Sequence, residues 1–336
     1  MHFLPSYREK IDIQMLQRRS QEFMEILESC ILCPHSCRIN RIKGEIGQCG
    51  AGFELEVASY GPHFGEEAPL VGSRGSGTIF FHHCPMHCIY CQNWNISQRH
   101  GEKISIETLA QYMNELQHIG CHNVNLVTPT HYVPQILSAL VLAVQSGLNL
   151  PIVYNCGGYE STATLKYLDG IIDIYLPDAK YADENTAKKL SGVPGYPEVM
   201  KAALKEMYRQ VGNLIVDQQG IAQRGLLIRH LVLPNNLAGT KEVLSFIAEE
   251  VSSTAAINLM AQYYPSYQAF HHPLLNRRLS RKEYEEACKI ARDISPRFHL
   301  NFGSSVISMG KGLTHHNERE WQSGNCESSG IPERLI

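Results

Sequence analysis

The feature that most constrains this fold is an alternation of short apolar runs and amphipathic helical segments, which begins near residue 76. Six runs have the length and composition of buried strands, and helical periodicity separates each from the next. The predicted strands cover residues 77–83, 123–129, 150–155, 171–181, 225–234 and 256–265. Apolar strands that alternate with helices favour an α/β fold with a parallel sheet. Six such units fit a partial barrel or a doubly wound sheet, and periodicity alone does not decide between them.

Helix signals and composition divide the chain into three predicted parts. Ser105 precedes a run with apolar residues at helical spacing, and Gly120 follows its end. Residues 1–75 do not follow the alternation and are rich in cysteine and glycine, whereas residues 311–336 are polar and aperiodic. We therefore predict a Cys-rich N-terminal segment (1–75), a barrel core (76–310) and a polar C-terminal tail (311–336).

Three cysteines follow the first predicted strand directly. Cys84, Cys88 and Cys91 have the spacing C-x3-C-x2-C, and short loops of this kind let three thiolates converge on one inorganic centre. A [4Fe–4S] cluster takes one thiolate per iron, so three cysteines leave one iron open. An open metal position is where a small ligand can bind.

A second group of cysteines lies in the N-terminal segment, with the spacing C-x2-C-x3-C-x11-C. Its members are Cys30, Cys33, Cys37 and Cys49. Four thiolates make a closed site, which is typical of structural zinc or of an iron–sulfur cluster, and the spacing fits both. Because the N-terminus shows no secretory signal, clustered thiols favour metal ligands over disulfides. The four scattered cysteines, Cys121, Cys156, Cys288 and Cys326, have no such partners in sequence.

Polar residues follow several predicted strands, at the edge where ligands bind in parallel α/β folds. They include Thr128, Thr130, Asn155, Asp178, Lys180, Arg229 and Gln262. The pair Asp178 and Lys180 gives the strongest signal, because it lies inside an otherwise apolar run. We expect these side chains to converge on a ligand.

The motif CPMHCIYC, at residues 84–91, resembles the signature of the radical S-adenosylmethionine (SAM) superfamily. The continuation CQN is similar to the pyruvate formate-lyase activating-enzyme branch. The segments NRIKGEIGQCGAG, GSGTIFF and NLVTPTHYVPQI resemble iron–sulfur proteins described as homologues of that activating enzyme. The resemblance covers most of residues 28–265. It implies a partial (β/α)6 barrel of the TIM type, a [4Fe–4S] cluster and SAM as cofactor.

The resemblance also implies roles for individual residues. Cys84, Cys88 and Cys91 would ligate the cluster, and Tyr90 would pack against the adenine of SAM. Further SAM contacts would come from Gln92, Thr128, Thr130, Asn155, Asp178, Lys180, Arg229 and Gln262. The family's GGE strand end is absent, and TPTH at residues 128–131 takes its place. Gln262 stands where the activating enzyme has a histidine.

The implied reaction is reductive cleavage of SAM to a 5′-deoxyadenosyl radical, which abstracts hydrogen from a substrate. A glycyl residue of a partner enzyme is one candidate substrate, and a small molecule is another. An external electron donor such as flavodoxin or ferredoxin would be required. The alternative is a non-catalytic zinc or iron–sulfur electron-transfer protein, with a fourth ligand from His82, His83, His87 or another cysteine.

Charge and hydropathy exclude some classes of partner. The formal net charge is −3, from 30 basic and 33 acidic residues, so no broad basic surface is predicted and nucleic acid is an unlikely partner. The longest apolar stretch is too short to span a bilayer. We therefore expect no membrane association and a cytoplasmic location.

Overall fold

A computed structural model describes residues 3–301 and the short segment 306–307, so the predicted tail and Cys326 lie outside the described residues. The strands, in chain order, are β1 (Leu55–His63), β2 (Ser76–Phe81), β3 (Glu102–Ile104), β4 (Val124–Val127), β5 (Ile152–Cys156), β6 (Ile174–Pro177), β7 (Ile215–Val216), β8 (Ala222–Leu231), β9 (Ala256–Met260), β10 (His299–Asn301) and β11 (Val306–Ile307). Each of the six sequence-predicted strands corresponds to one of these elements.

The helices pack around this sheet. They are α1 (Ser6–Glu9), α2 (Ile13–Glu25), α3 (Ala68–Val71), α4 (Trp94–Ser97), α5 (Ile106–Ile119), α6 (Val133–Gln145), α7 (Thr162–Tyr167), α8 (Glu184–Ser191), α9 (Tyr196–Val211), α10 (Thr240–Phe246) and α11 (Arg281–Ile294). The predicted cap of α5 is present, because Ser105 Oγ accepts a hydrogen bond from Thr108 N and Gly120 adopts a left-handed conformation at the end of the helix.

One sheet runs through the molecule in the order β11-β10-β9-β8-β6-β5-β4-β2-β1-β3, and β7 pairs with β8 off this path. The neighbours from β2 to β10 are parallel, whereas β1, β3 and β11 extend the two ends in antiparallel fashion. The two ends of this order, β11 and β3, are not paired with each other in the described residues. The fold is therefore an open, partial barrel of the α/β class, as the resemblance implied.

The N-terminal residues share this sheet and cover one end of it. β1 pairs with β2 along almost its whole length. Near the start of the chain, Ser6 N donates to Asp173 Oδ1 at 2.7 Å, and Tyr7 Oη donates to the carbonyl of Leu150 at 2.8 Å. The division of the chain at residue 75 stays a prediction, and that boundary lies directly before β2, at the end of the connection from its partner β1.

The apolar core lies between the sheet and the surrounding helices and includes nearly every side chain of β5 and β6. Burial on both faces explains why these strands read as continuous apolar runs rather than as alternating patterns. Among the described residues, no helix combines the length and the apolar character needed to cross a bilayer. The carboxyl ends of the parallel strands open into a cavity.

Candidate active site

The cavity at the carboxyl ends of the strands has a volume of about 1460 Å³. Cys84, Cys88 and Cys91 line one part of its wall, and polar residues that end β5, β6 and β8 line another. Its volume exceeds the range of roughly 300–1,000 Å³ that is usual for one drug-sized ligand. The cavity can therefore hold more than one small molecule beside the three thiols.

The three thiols lie on the loop that leaves β2, and two of them accept hydrogen bonds. Met86 N lies 3.3 Å from Cys84 Sγ, and Ser191 Oγ donates to Cys88 Sγ at 2.9 Å. Cys91 is held by its own backbone, which donates to the carbonyl of Cys88. Hydrogen bonds donated to sulfur favour the thiolate, which is the form that binds metals.

Burial has the opposite effect on the same thiols. It raises the pKa of Cys84 well above its ordinary value, and it raises the pKa of Cys88 to about 11, although the nearby charge of Lys180 works against the latter shift. Without a metal the two thiols are protonated at neutral pH. A metal centre that binds here must displace those protons.

Two of the three histidines that could complete a zinc site are engaged elsewhere. His82 Nδ1 lies 3.1 Å from the carbonyl of Ile96. Both ring nitrogens of His87 are occupied, at 2.9 Å from Gln98 Oε1 and 2.7 Å from the carbonyl of Gln48. Neither of these imidazoles lines the cavity, whereas the third, His83, lies on its wall with Nε2 3.1 Å from Glu56 Oε2. Three thiols in this arrangement fit a cluster with one open iron.

Asp178 is the centre of a partly buried charged network at the strand ends. Lys180 Nζ donates to Asp178 Oδ2 at 2.5 Å, and Arg229 Nε donates to Asp178 Oδ1 at 2.7 Å. Arg229 Nη2 also donates to Asn155 Oδ1 at 2.8 Å. Burial alone would raise the pKa of Asp178, but the two cations outweigh it and hold that pKa below its ordinary value. Four of the predicted site residues therefore lie together.

Aromatic and amide side chains complete two more parts of the wall. Tyr90 is buried, its hydroxyl is hydrogen-bonded to that of Tyr181, and its ring lines the cavity. Gln92 and Gln262 also line the cavity, and both are exposed. Gln92 Nε2 donates to the carbonyl of Gln262 at 3.1 Å, which joins the cysteine loop to the end of β9.

The two predicted threonines have different positions. Thr128 lines the cavity and has a φ of 59°, which is unusual for a β-branched residue and marks a strained backbone. Thr130 is buried instead, and its hydroxyl donates to Glu160 Oε1 at 2.7 Å, away from the residues that line the cavity. In this arrangement Thr130 supports the strand end without facing the cavity.

The adjacent acidic residues Glu66 and Glu67 also line the cavity. Glu66 Oε2 lies 3.4 Å from Asn155 Nδ2 and 3.8 Å from Arg229 Nη1, and burial raises the pKa of Glu66 to about 7. Glu67 Oε1 accepts from Asn258 Nδ2 at 2.9 Å, whereas its other oxygen is buried without a hydrogen-bond partner. The local sequence GPHFGEE is compatible with a solvated turn or with the mouth of a substrate site, and only the fold places its two acids beside Arg229.

The four N-terminal cysteines also lie in one region. Cys30, Cys33 and Cys49 are buried and Cys37 is partly buried. Burial raises the pKa of Cys33 to about 12, and the other three thiols act in the same direction. A Cβ atom at Gly47 would lie 2.7 Å from Cys37 Sγ, so the backbone packs directly on that sulfur. The four thiols are a candidate donor set for a closed metal site, although no three of their sulfurs lie within 4.8 Å of one another.

This N-terminal cysteine group contacts the loop that carries Cys84. Cys84 N donates to the carbonyl of Cys49 at 3.4 Å, and His35 Nε2 lies 2.8 Å from the carbonyl of Pro85. The contact between His87 and Gln48 lies at the same junction. The two cysteine groups are therefore neighbours through their backbones.

Comparison with known proteins agrees with this site. Residues 78–217 match the family model of the radical SAM superfamily, which identifies a radical SAM domain in this part of the chain. Such a domain implies a [4Fe–4S] cluster and SAM as cofactors. The chain is also similar to "Uncharacterized protein MJ0674" from Methanocaldococcus jannaschii, with 32% identity over 296 residues, which are 84% of this chain and 80% of that protein.

Several solved structures show a weaker similarity. SuiB of Streptococcus suis, bound to its precursor peptide SuiA, is 12% identical with a TM-score of 0.45, over 65% of this chain and 46% of that one. Methylornithine synthase (PylB) is 17% identical with a TM-score of 0.42, over 63% and 60%. The chain thus spans less than two thirds of the length of these proteins.

Proposed function

We propose that this radical SAM enzyme holds its cluster on Cys84, Cys88 and Cys91 and binds SAM in the cavity beside them. The observation that supports this most is a single cavity lined both by three thiols and by the partly buried network of Asp178, Lys180 and Arg229. Thiolates are the usual ligands of iron–sulfur clusters, and a network with both charges can pair with the amino, carboxylate and ribose groups of SAM.

When bound, the cluster and SAM supply a 5′-deoxyadenosyl radical through one-electron reductive cleavage. The residues of the chain bind and orient the cluster and SAM, and they exclude water from the cavity. Lys180 and Arg229 place two positive charges where a carboxylate can dock, and Asp178 fixes their positions. Tyr90 offers an aromatic surface that can pack against a purine. The buried side chains of Phe81 and Met86 give the wall an apolar part.

We infer further that the substrate enters beside the bound SAM, because the cavity is larger than one such ligand requires. Phe64 and Tyr264 line the cavity, and both are exposed large side chains. A polypeptide segment with a glycyl residue and a small molecule are both substrates that this opening admits. An external carrier such as flavodoxin or ferredoxin would donate the electron.

The test is release of 5′-deoxyadenosine by protein reconstituted with iron and sulfide under anaerobic conditions, with SAM and a strong reductant. The native chain should release it, and Cys88→Ser should reduce the rate by at least about 100-fold, because it removes one cluster ligand. Cys288→Ser is the matched control, since Cys288 is a buried thiol on α11 and should leave the rate unchanged.

The same preparations separate this proposal from the non-catalytic alternative. Addition of SAM should change the electron paramagnetic resonance spectrum of the reduced cluster in the native chain. Zinc as the sole metal, or a cluster spectrum that SAM leaves unchanged, would support a zinc or electron-transfer protein instead. A glycine-centred radical on a co-purified protein would identify an activating enzyme.

A further inference from the structure

A separate group of potential metal ligands lies near the cysteine loop, on the edge formed by β1, β2 and β3. Glu56 belongs to β1, His83 follows β2, and His100 precedes β3. One ligand atom from each residue lies within 4.8 Å of the other two, and in the described residues no other group of three or more histidine, cysteine or acidic side chains is this close together. This group is distinct from both cysteine groups and has no part in the proposed reaction.

The distances within the group match those of ligands around a single ion. His83 Nε2 lies 3.1 Å from Glu56 Oε2, and His100 Nδ1 lies 3.4 Å from Glu56 Oε1. Ligands at about 2.0–2.1 Å from one ion lie about 3.0–3.4 Å from each other. Both imidazoles thus lie at ligand spacing from the Glu56 carboxylate, and all three ligand atoms lie within 4.8 Å of one another.

His83 provides a second and independent observation. It is 4% exposed, and its Nε2 faces Glu56 Oε2 at 3.1 Å in a geometry that departs from a regular hydrogen bond. A structural His–Glu pair would satisfy that nitrogen. An imidazole nitrogen and a carboxylate oxygen that approach closely in a poor hydrogen-bond geometry are expected when both face a shared cation.

The backbone supports the same interpretation. His83 has a φ of 69°, a strained conformation for a residue with a side chain. Gly50 packs against its ring, because a Cβ atom there would lie 2.9 Å from His83 Nδ1. Glu56 is 4% exposed and is oriented by Gly101 N, which donates to Oε2 at 2.7 Å. The side chain of His100 is 74% exposed, and it leaves an entry path for an ion.

We propose that Glu56, His83 and His100 form a mononuclear site for a divalent transition-metal ion such as Zn²⁺. Two imidazoles and one carboxylate suit zinc or iron(II), and three protein ligands leave a position for water. The ion would hold the residue directly before Cys84 in its strained conformation, and it would join three strand ends beside the cavity.

The test is binding of Zn²⁺ and Co²⁺ to full-length protein whose cysteine sites have already been reconstituted. We expect one further equivalent to bind, with a Co²⁺ spectrum that lacks thiolate charge-transfer bands. His100→Gln should weaken this binding at least about tenfold, since it removes one of three ligands. His118→Gln is the matched control, because His118 is an exposed histidine on α5 whose ring contacts the carbonyl of Asn114.

Glu56→Gln is a second variant that preserves the shape of the side chain and should weaken binding to a similar degree. If it fails to fold, His100→Gln still decides, because its side chain is exposed. Equal affinity and stoichiometry in the native chain, His100→Gln and His118→Gln would overturn the proposal. A Co²⁺ spectrum with thiolate bands alone would do so as well.

Discussion

Arg229 lies beside the carboxylates of Asp178 and Glu66, whose pKa values are shifted in opposite directions. The cations around Asp178 hold its pKa below the ordinary value against the effect of burial, whereas burial raises the pKa of Glu66 to about 7. Environments that separate the pKa values of two neighbouring acids give them different chemical roles. At neutral pH Asp178 is a fixed negative charge, and Glu66 can hold or release a proton beside the cavity.

The pKa of Glu66 predicts a pH-dependent stability. The folded chain keeps a proton on this carboxyl that the unfolded chain loses near pH 4.5, so the stabilisation is complete below that pH and is lost as the pH rises through about 7. Glu66→Gln cannot ionise. The free energy of unfolding of Glu66→Gln minus that of the native chain should therefore be about 2 kcal/mol larger at pH 8 than at about pH 5, because only the native chain loses stability as the pH rises.

Chemical denaturation at several pH values measures this difference. Glu198→Gln is the control, because the side chain of Glu198 is 81% exposed and its replacement should give a difference that does not vary with pH. A Glu66→Gln difference that is equally flat across the range would mean that the Glu66 carboxyl is ionised throughout in the folded protein.

At the scale of elements, periodicity predicted the strands well because burial on both faces leaves a clear apolar run. It missed β1, whose sequence LEVASYGPH contains glycine and proline and whose partner is antiparallel. It also missed α8, a short polar helix, although Asp183 caps its start and Gly192 ends it. That omission matters, because α8 contributes Ser191, the donor to Cys88.

The site was predictable only where its residues stand out in local sequence. Asp178 and Lys180 interrupt an apolar run, so their polarity was informative before the fold was known. Glu66 and the group around Glu56 depend on contacts between residues far apart in the chain, such as Glu56 with His100. Spacing along the chain carries no information about such contacts. Thr130 was predicted to contact SAM from its position at a strand end, but that position does not determine which way a side chain faces.

The turn after β5 positions the charged network through a close backbone contact. Gly158 has a φ of 78°, and a Cβ atom there would lie 2.1 Å from the carbonyl oxygen of Asp178. Gly158→Ala must therefore displace the backbone of Asp178. We expect Gly158→Ala to weaken SAM binding. We also expect it to lower the free energy of unfolding by about 1–3 kcal/mol more than an alanine substitution at a glycine that has a positive φ but no such close contact.

Gly147→Ala supplies that comparison. Gly147 has a φ of 100°, and nothing lies within 4 Å of a Cβ atom built there. Thermal unfolding and SAM binding by equilibrium dialysis measure the two effects. If both variants lose the same stability and bind SAM as the native chain does, the contact between Gly158 and Asp178 does not position the network.

At the scale of the whole molecule, the N-terminal residues hold the barrel at two places. Near the start of the chain, Ser6 and Tyr7 bind the amino end of the sheet. Arg41 is completely buried and donates to the carbonyls of Gly52 and His131, which joins the N-terminal cysteine group to the strand end after β4. Together with the backbone contact of Cys84 N with the carbonyl of Cys49, these contacts lead us to expect that the two cysteine groups are coupled.

A substitution in the N-terminal cysteine group should therefore impair the distant cluster. Cys33→Ala removes one proposed ligand that does not line the cavity, and loss of that metal should release the carbonyl of Cys49 that Cys84 N contacts. We expect the rate of 5′-deoxyadenosine release to fall about tenfold or more, as when a supporting contact of a metal ligand is lost.

Elemental analysis of the same variant should show lower zinc, or about four fewer iron atoms if the site holds a second cluster. Cys121→Ala, at a buried thiol outside both groups, should change neither quantity. Loss of the N-terminal metal with an unchanged rate and an unchanged cluster spectrum would show that the two sites are independent despite their shared backbone contacts.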